Sequence, residues 1–363
     1  MDGAPEFLWR FEIKQVPLLR CGMTGRVKFP LPPAIVQTVV MVRVGVDEKL
    51  AEELLAGFPP EAEIVRIPRH STAVQEVDFW IIPFARKNAQ ETFRHLRGVK
   101  VVQSMMAGVD WIAPWLPKEI VLCDGRGIHD ISASEWVMAA ILASLKQFPL
   151  YRDMQTARLW RGQAAETGGF LNERGPQIGQ YKILGDDLAG KTVLIVGYGS
   201  IGRAIESRLA PFGVTILRLA RSAKPEPQVS SAADLDRLLP QADVVVAIVP
   251  LTEETEGMIG ARQIGLMKHG ALLVNAARGP VVDTDALVEA LQQHRIRAAL
   301  DVTDPEPLPP EHPLWHAPNC LITPHVGGST PEFIRRAFRF GAEQVRRYIA
   351  GEPLENVVSD AGY

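Results

Sequence analysis

Cysteine is scarce in this chain, with three thiols, Cys21, Cys123 and Cys320, among 363 residues. They are far apart and odd in number. They build no disulfide framework and offer no metal-ligand spacing, so a reducing, cytoplasmic setting is expected. A surplus of one charge sign is also missing. The net charge of −3 leaves no basic field for nucleic acid and no polybasic patch for a membrane surface. No apolar run approaches the about 20 residues that a membrane-crossing helix needs. No secretory signal is legible: Asp2, Glu6 and Glu12 come early, and no unbroken apolar core precedes a small-residue cleavage site. His70, His95, His129, His269, His294, His312 and His316 form no metal set and read as surface or structural, so no metal is expected.

What is present is an ordinary globular composition, 47% apolar and 22% charged, on a chain long enough for two cores. Residues 1–38 are broken by Pro and Gly without periodicity. They read as a loosely attached N-terminal extension, or as the result of a start at Met1 rather than Met41. From Val39 onward short apolar strands alternate with helical stretches, the pattern of parallel sheets covered by helices. The first set of strands is Val39–Val46, Glu63–Ile67, Phe79–Ile82, Val99–Gln103 and Ile120–Leu122. Asp47–Ala56 and Ala89–Leu96 read as helical. A long helix from Ser132 to about Gln147 opens on Ser-Ala-Ser-Glu, a capping arrangement.

Tyr151 to Asp187 reads as irregular, with Gly168-Gly169, Gly175-Pro176 and a Trp160-Arg161-Gly162 turn. A second series follows: Thr192–Val196, Val214–Leu219, Asp243–Ile248, Ala271–Asn275, Ile296–Leu300 and Cys320–Ile322. Six strands with intervening helices make a dinucleotide-binding sheet. A last helix, Pro331 to about Ile349, is placed to cross back to the first domain. Asp304 to Pro310 is Pro-rich and reads as a stiff loop.

The densest signal is Gly197-Tyr198-Gly199-Ser200-Ile201-Gly202, directly after Thr192–Val196 and before a helix over Ile201–Ala210. The first glycine permits a tight turn, the second lets backbone approach a pyrophosphate, and the third lets helix and strand pack closely. The helix N-terminus then offers amides and a positive dipole end. Ligands of such sheets lie at the carboxyl ends of the strands. Arg278, Asp301, Glu306 and His325 all follow strand ends in the second series. Reduction of a 2-oxo acid needs a cation for the carboxylate and an acid for the carbonyl oxygen. Arg278 offers a bidentate fork, His325 supplies an imidazole, the side-chain type suited to proton donation at neutral pH, and Glu306 is placed to orient the ring. The plainer readings are Arg278 paired with Asp283 at a strand end, His325 as a satisfied loop histidine, and Glu306 as a solvated charge. Met105 and Met106 read as packing residues, and Trp160 and the other tryptophans as core or dimer contacts.

GYGSIG (197–202), NAARGPVVDTDAL (275–287), ALDVTDPEPLP (299–309) and TPHVGGST (323–330) together resemble the D-isomer-specific 2-hydroxyacid dehydrogenase family. AGVDWI (107–112) and YIAGEPLENVV (348–358) extend the resemblance from about Met41 to Val358. It implies an α/β chain of two doubly wound parallel-sheet domains. A Rossmann cofactor domain (139–325) is inserted in a flavodoxin-like substrate domain (39–138 and 326–358). It implies that Arg278 binds substrate, His325 donates the proton and Glu306 stands behind the histidine. Asp301 would hold the nicotinamide carboxamide, and Ser200 and Ile201 would lie on the pyrophosphate. Val249, Pro250, Thr255, Ala276, Ala277, Gly327 and Gly328 would line the cofactor. The amides of Ala107 and Gly108 would grip the substrate carboxylate. A homodimer built largely on residues 135–187 is implied as well.

The family's usual acidic residue after the second Rossmann strand falls on Ala220, so no carboxylate waits for a ribose hydroxyl. Arg221, Ser222 and Lys224 follow instead and suit a 2′-phosphate. The expectation is an oxidoreductase that prefers NADP(H), with NAD(H) possible. It would reduce a small 2-oxo acid of the glyoxylate or hydroxypyruvate class to the D-2-hydroxy acid. The alternatives are a nucleotide-gated, corepressor-like binding protein and a dehydrogenase of a small donor such as phosphite. Formate is disfavoured because that branch pairs its histidine with an amide. Phosphoglycerate is disfavoured because that activity usually brings a further C-terminal domain, and this chain ends at Tyr363.

Overall fold

The computed structural model describes residues 41–68, 73–83, 88–160, 177–178, 181–182 and 185–358, which belong to one compact unit. The expected extension (1–38), Arg161-Gly162, Gly168-Gly169, Gly175-Pro176, Cys21 and His70 lie outside the described residues.

The first sheet holds β1 (Val42–Asp47), β2 (Ala62–Ile67), β3 (Phe79–Ile81), β4 (Val101–Gln103) and β5 (Val121–Cys123). Its order is β2-β1-β3-β4-β5 and every pairing is parallel. That is the flavodoxin-like order. Val42, Val44 and Phe79 fill a core on one face, and Ile67, Trp80 and Val102 fill one on the other. Parallel sheets are covered on both faces, which is why these strands read as unbroken apolar runs. Helix α1 (Ala89–Arg94) precedes β4.

The helix expected over Asp47–Ala56 does not form. Only Glu52–Leu54 makes a 3-10 turn, inside a run of tight turns in which Leu50 donates to Asp47 and Phe58 to Leu55. These turns deliver Leu50, Leu54, Leu55 and Phe58 to the first core without the length an α-helix requires.

Helices α2 (Asp130–Leu145) and α3 (Phe148–Thr156) lead to the second sheet. Helix α2 begins two residues before the expected Ser132, and no side chain caps it. Ser132 and Ser134 instead turn back on the helix, donating to the carbonyls of His129 at 3.4 Å and Ile131 at 3.0 Å. Helix α3 also corrects the irregular reading of the stretch from Tyr151. Pro149 sits in its first turn, where a missing amide hydrogen costs nothing.

The second sheet comprises β6 (Thr192–Val196), β7 (Thr215–Ala220), β8 (Ser230–Ser231), β9 (Val244–Ala247), β10 (Leu272–Asn275), β11 (Arg297–Leu300) and β12 (Cys320–Ile322). Its order is β8-β7-β6-β9-β10-β11-β12, again all parallel. The switch in winding falls at β6, where a doubly wound sheet opens its ligand crevice. The seventh strand, β8, is a two-residue pairing with Leu219-Ala220 and carries no apolar run that would announce it. Helix α4 (Ser200–Leu209) follows β6 and meets α2 across Ile205, Leu209, Val137 and Ile141. Helix α5 (Thr284–Gln292) is capped by the Asp283 carboxylate, which accepts from the Ala286 amide at 3.0 Å.

The last helix, α6 (Pro331–Ala350), starts at Thr330, whose hydroxyl accepts from the Phe333 amide. It packs Phe333, Ala337, Phe338 and Val345 on the first sheet. The buried Gln344 donates to Gln103 of β4 at 2.9 Å. Among the described residues no helix is long and apolar enough to cross a membrane.

Candidate active site

Three glycines shape the loop between β6 and α4, each for a different reason. Gly197 has φ 109°, and a side chain there would strike the Ile248 carbonyl. A Cβ on Gly202 would lie 2.6 Å from the Gly197 carbonyl oxygen. Gly199 has nothing within 4 Å of its Cβ position. No side chain caps α4, so Ser200 and Ile201 open the helix beside empty space. An uncapped helix start over a glycine-lined hollow fits a dinucleotide pyrophosphate. The loop is braced from behind. The Tyr198 hydroxyl donates to Glu206 at 2.5 Å, and Arg218 of β7 donates to the same carboxylate through Nε at 2.7 Å. The Arg218 guanidinium holds the Glu206 carboxyl below its usual range.

On the far side of this hollow β7 ends at Ala220, and Arg221, Ser222 and Lys224 are exposed. The backbone of Lys224 exchanges two hydrogen bonds with Val229, at 3.0 and 2.9 Å, and closes the loop between them. Val249 and Pro250 follow β9. The Thr255 hydroxyl donates to the Pro250 carbonyl at 2.6 Å and accepts from the Thr252 amide at 2.8 Å, which fixes their turn. Glu254 in this turn is held below its usual range, first by the Thr252 hydroxyl and its own amide and then by the charge of Arg221. An acidic partner for Arg221 was not foreseen from the sequence.

Arg278 stands on a turn after β10 that Asn275 ties down. The Asn275 side chain donates to the Arg278 carbonyl at 3.0 Å and accepts from the Ala277 amide at 3.1 Å. Gly279 next to it has no room for a side chain because the Thr303 carbonyl passes over it. The guanidinium donates to the Ala277 carbonyl at 2.8 Å and lies 3.7 Å from the Asp110 carboxylate. A side chain on Gly108 would collide with the guanidinium. The AGVDWI loop of the first sheet and the arginine of the second sheet therefore meet. Asp283, the alternative partner, is occupied as the cap of α5.

His325 lies on the loop after β12 at φ 54°, a left-handed conformation that few non-glycine residues adopt. Asp301 holds it there. The Asp301 carbonyl accepts from the His325 amide at 2.7 Å. Its carboxylate, 5% exposed, accepts from the Thr323 hydroxyl at 2.6 Å and from the amides of Val326 and Gly327 at 2.9 and 2.8 Å. On the imidazole, Nδ1 lies 2.7 Å from Glu306 Oε1. The structure thus brings Glu306 to His325, and Arg278 to Ala107-Gly108.

His129, which the sequence placed among structural residues, belongs to the same neighbourhood. It precedes α2, and its ring meets that of Phe333 at 4.2 Å between centroids. A Cβ on Gly328 would lie 2.6 Å from its Cδ2, and one on Gly327 would lie 3.0 Å from Trp136 Cγ. No local signal announced His129, because its partners Gly328 and Phe333 lie far along the chain. Burial lowers the His129 pKa to about 4, and Arg336, Arg278 and His325 add to it. Among the described residues no group of His, Cys, Asp and Glu is arranged to hold a metal. Burial pushes the thiols of Cys123 and Cys320 up to about 12, which makes both poor nucleophiles.

The family described as D-isomer specific 2-hydroxyacid dehydrogenase, NAD binding domain, matches residues 138–327. Glyoxylate reductase of Thermococcus gammatolerans is 32% identical over 307 residues, covering 83% of this chain and 88% of that protein. D-3-phosphoglycerate dehydrogenase of Methanocaldococcus jannaschii is 32% identical over 293 residues, but the chain spans only 52% of it. Among solved structures, an NADPH-dependent glyoxylate/hydroxypyruvate reductase from Sinorhizobium meliloti, in complex with NADP and sulfate, superimposes with a TM-score of 0.73. It is 29% identical, with 88% of this chain and 99% of that chain covered. A match over more than half the chain, on a fold with the winding and glycine turn described above, makes this protein a member of the D-isomer-specific 2-hydroxyacid dehydrogenase family, NAD(P)-linked oxidoreductases of hydroxyacids.

Proposed function

We propose that the protein reduces a small 2-oxo acid of the glyoxylate or hydroxypyruvate class to the D-2-hydroxy acid, with NADPH as the preferred donor. The observation that carries this reading is the 2.7 Å contact between His325 Nδ1 and Glu306 Oε1. The glyoxylate reductase names among its relatives support it. A bound nicotinamide cofactor supplies the hydride; Ser200 and Ile201, with the hollow at Gly199, hold its pyrophosphate. Val249, Pro250, Thr255, Ala276, Ala277, Gly327, Gly328 and Asp301 line the remainder of the cofactor cleft.

Arg278 takes the substrate carboxylate in its planar fork and polarises the neighbouring carbonyl. The amides of Ala107 and Gly108 share that carboxylate. Glu306 accepts the Nδ1 hydrogen of His325, which fixes the ring and leaves the Nε2 hydrogen for the substrate oxygen. As negative charge develops on that oxygen, His325 releases the Nε2 proton to it; the ring becomes neutral, and the Glu306–His325 pair, neutral before, is left with one negative charge. In this scheme residues 139–325 carry the cofactor, and 39–138 with 326–358 carry the substrate. Arg221, Ser222 and Lys224 receive the 2′-phosphate. The protein is a homodimer, for which exposed Phe148 (59%) on α3 and Trp160 (82%) beyond it supply apolar surface.

The test is a panel of 2-oxo acids assayed with NADPH and with NADH. Turnover of glyoxylate or hydroxypyruvate is expected, lost in His325→Gln. Absence of turnover with every 2-oxo acid overturns the enzyme reading and favours a nucleotide-gated binding protein. Sedimentation at twice the chain mass is expected for the dimer.

A further inference from the structure

We propose that His129 is a positioning residue for the proton-transfer histidine: its ring, wedged between Phe333 and Gly328, sets the place of the loop that carries His325. The inference rests on the reading of His325 as proton donor.

Two observations carry it. The first is contact. The Gly327-Gly328 pair lies along one face of α2, with Gly327 against Trp136 and Gly328 against the edge of His129. A methyl group on Gly328 would collide with the His129 ring, and one on Gly327 would crowd the Asp301 carboxylate at 2.8 Å and Trp136 Cγ at 3.0 Å, so the loop is fitted closely to the start of α2. His325 is two residues from the first of these glycines and is held at φ 54°. A shift of the loop at Gly328 is therefore transmitted through very little chain.

The second is where the helices come from. Helix α2 packs on the second sheet, through Val137, Ile141 and Leu145. Helix α6 packs on the first, through Phe333, Ala337 and Phe338. The His129–Phe333 contact joins the beginnings of these two helices, and Arg336 adds a hydrogen bond to the Ile128 carbonyl at 3.1 Å. The ring thus sits where the two sheets' helices meet, beside the histidine loop. The surrounding charges suit an uncharged wedge. Arg278 on the turn after β10, Arg336 on α6 and His325 on its loop all face His129, and a fourth cation there would be repelled by all three. The imidazole stays neutral throughout the range in which the enzyme is assayed.

The experiment is steady-state kinetics of His129→Ala with glyoxylate and NADPH, alongside wild type, His129→Phe and His325→Gln. A donor displaced by about 1 Å costs on the order of 100-fold in rate. His129→Ala is expected to lower kcat at least tenfold, with KM for glyoxylate and Kd for NADPH changed less than threefold. The solvent isotope effect on kcat is expected to rise, because proton transfer becomes slower than the other steps. His129→Phe, which keeps a ring against Phe333 and Gly328, is expected to recover kcat to within threefold of wild type. If His129→Ala does not bind NADPH and so has not folded, His129→Asn, a good residue at a helix start, carries the same expectation. An unchanged kcat in the Ala or Asn variant overturns the proposal. So does a raised KM at constant kcat, which would make His129 a substrate ligand. Activity in His325→Gln overturns the proton-donor reading instead, and the two failures are told apart by that variant.

Discussion

The Asp301 carbonyl accepts the His325 amide at 2.7 Å while the Asp301 carboxylate takes three further donors from the same loop. One residue, through its backbone carbonyl and its carboxylate, therefore holds the left-handed histidine in place. Asp301→Asn puts an NH2 group against backbone amides that need an acceptor. A buried donor left facing donors costs about 1–3 kcal/mol. The expected result is a denaturation midpoint lowered accordingly, together with a fall in kcat. An unchanged midpoint would show that the loop holds itself.

Glu306 hydrogen-bonds the histidine ring, and its side chain is 41% exposed. Glu306→Gln should therefore leave folding within about 0.5 kcal/mol of wild type while kcat drops about 100-fold, the scale of a misdirected general acid. Thermal melting and kcat measured on the same sample check both halves. A variant that melts early but turns over normally contradicts the assignment.

The proposed preference for NADPH assigns the 2′-phosphate to Arg221. Removing a charged hydrogen-bond donor to a phosphate costs about 1.5–3 kcal/mol, or about tenfold and more in affinity. Arg221→Ala is expected to lower kcat/KM for NADPH by that factor and to leave NADH nearly unchanged. Glu254, which faces Arg221, competes for the same cation, so Glu254→Gln should shift the ratio further toward NADPH. A wild-type NADPH-to-NADH ratio of kcat/KM below one sinks the proposed preference.

Stability should depend on pH through His129. Its pKa is lowered to about 4 by burial in the folded chain and returns to about 6.5 on unfolding. Between these values the unfolded chain binds a proton that the folded chain refuses. The contribution is therefore complete above about pH 6.5 and is lost as pH falls toward about 4, by up to about 3 kcal/mol. The difference in unfolding free energy between wild type and His129→Phe, followed from pH 8 to 4, isolates this term. A flat difference refutes it.

The sequence was most legible where physical demands were simplest. Thr192–Val196 and Cys320–Ile322 match β6 and β12 to the residue; β6 is central and buried from Val193 to Val196, so it admits only apolar residues there, whereas β12 is a half-buried edge strand read from its short apolar run alone. The glycine turn was legible because close packing forbids side chains at Gly197 and Gly202. Asp47–Ala56 misled because leucines at helical spacing are equally served by successive tight turns when the connection is short and runs into Pro59-Pro60. Ser132 and Ser134 misled because a hydroxyl can turn back on its own helix as readily as it caps one. His129 and the Arg221–Glu254 approach could not be read from one strand of text. Each depends on segments more than 30 residues apart: Phe333 and Gly328 in one case, the turn after β9 in the other.

Gly199 has a consequence that reaches beyond its own loop. Its two companions are required by the chain's own atoms, whereas among the described residues no atom beyond its chain neighbours lies within 4 Å of a Cβ at Gly199, the approach proposed above for the pyrophosphate. Folding and ligand capture are thereby separable at a single carbon. Gly197→Ala and Gly202→Ala should unsettle the whole molecule. Gly199→Ala should melt within about 0.5 kcal/mol of the parent yet lose dinucleotide affinity at least tenfold, as calorimetry would register. Under the proposed function, Gly199→Ala would serve as a folded reference protein that does not capture dinucleotide.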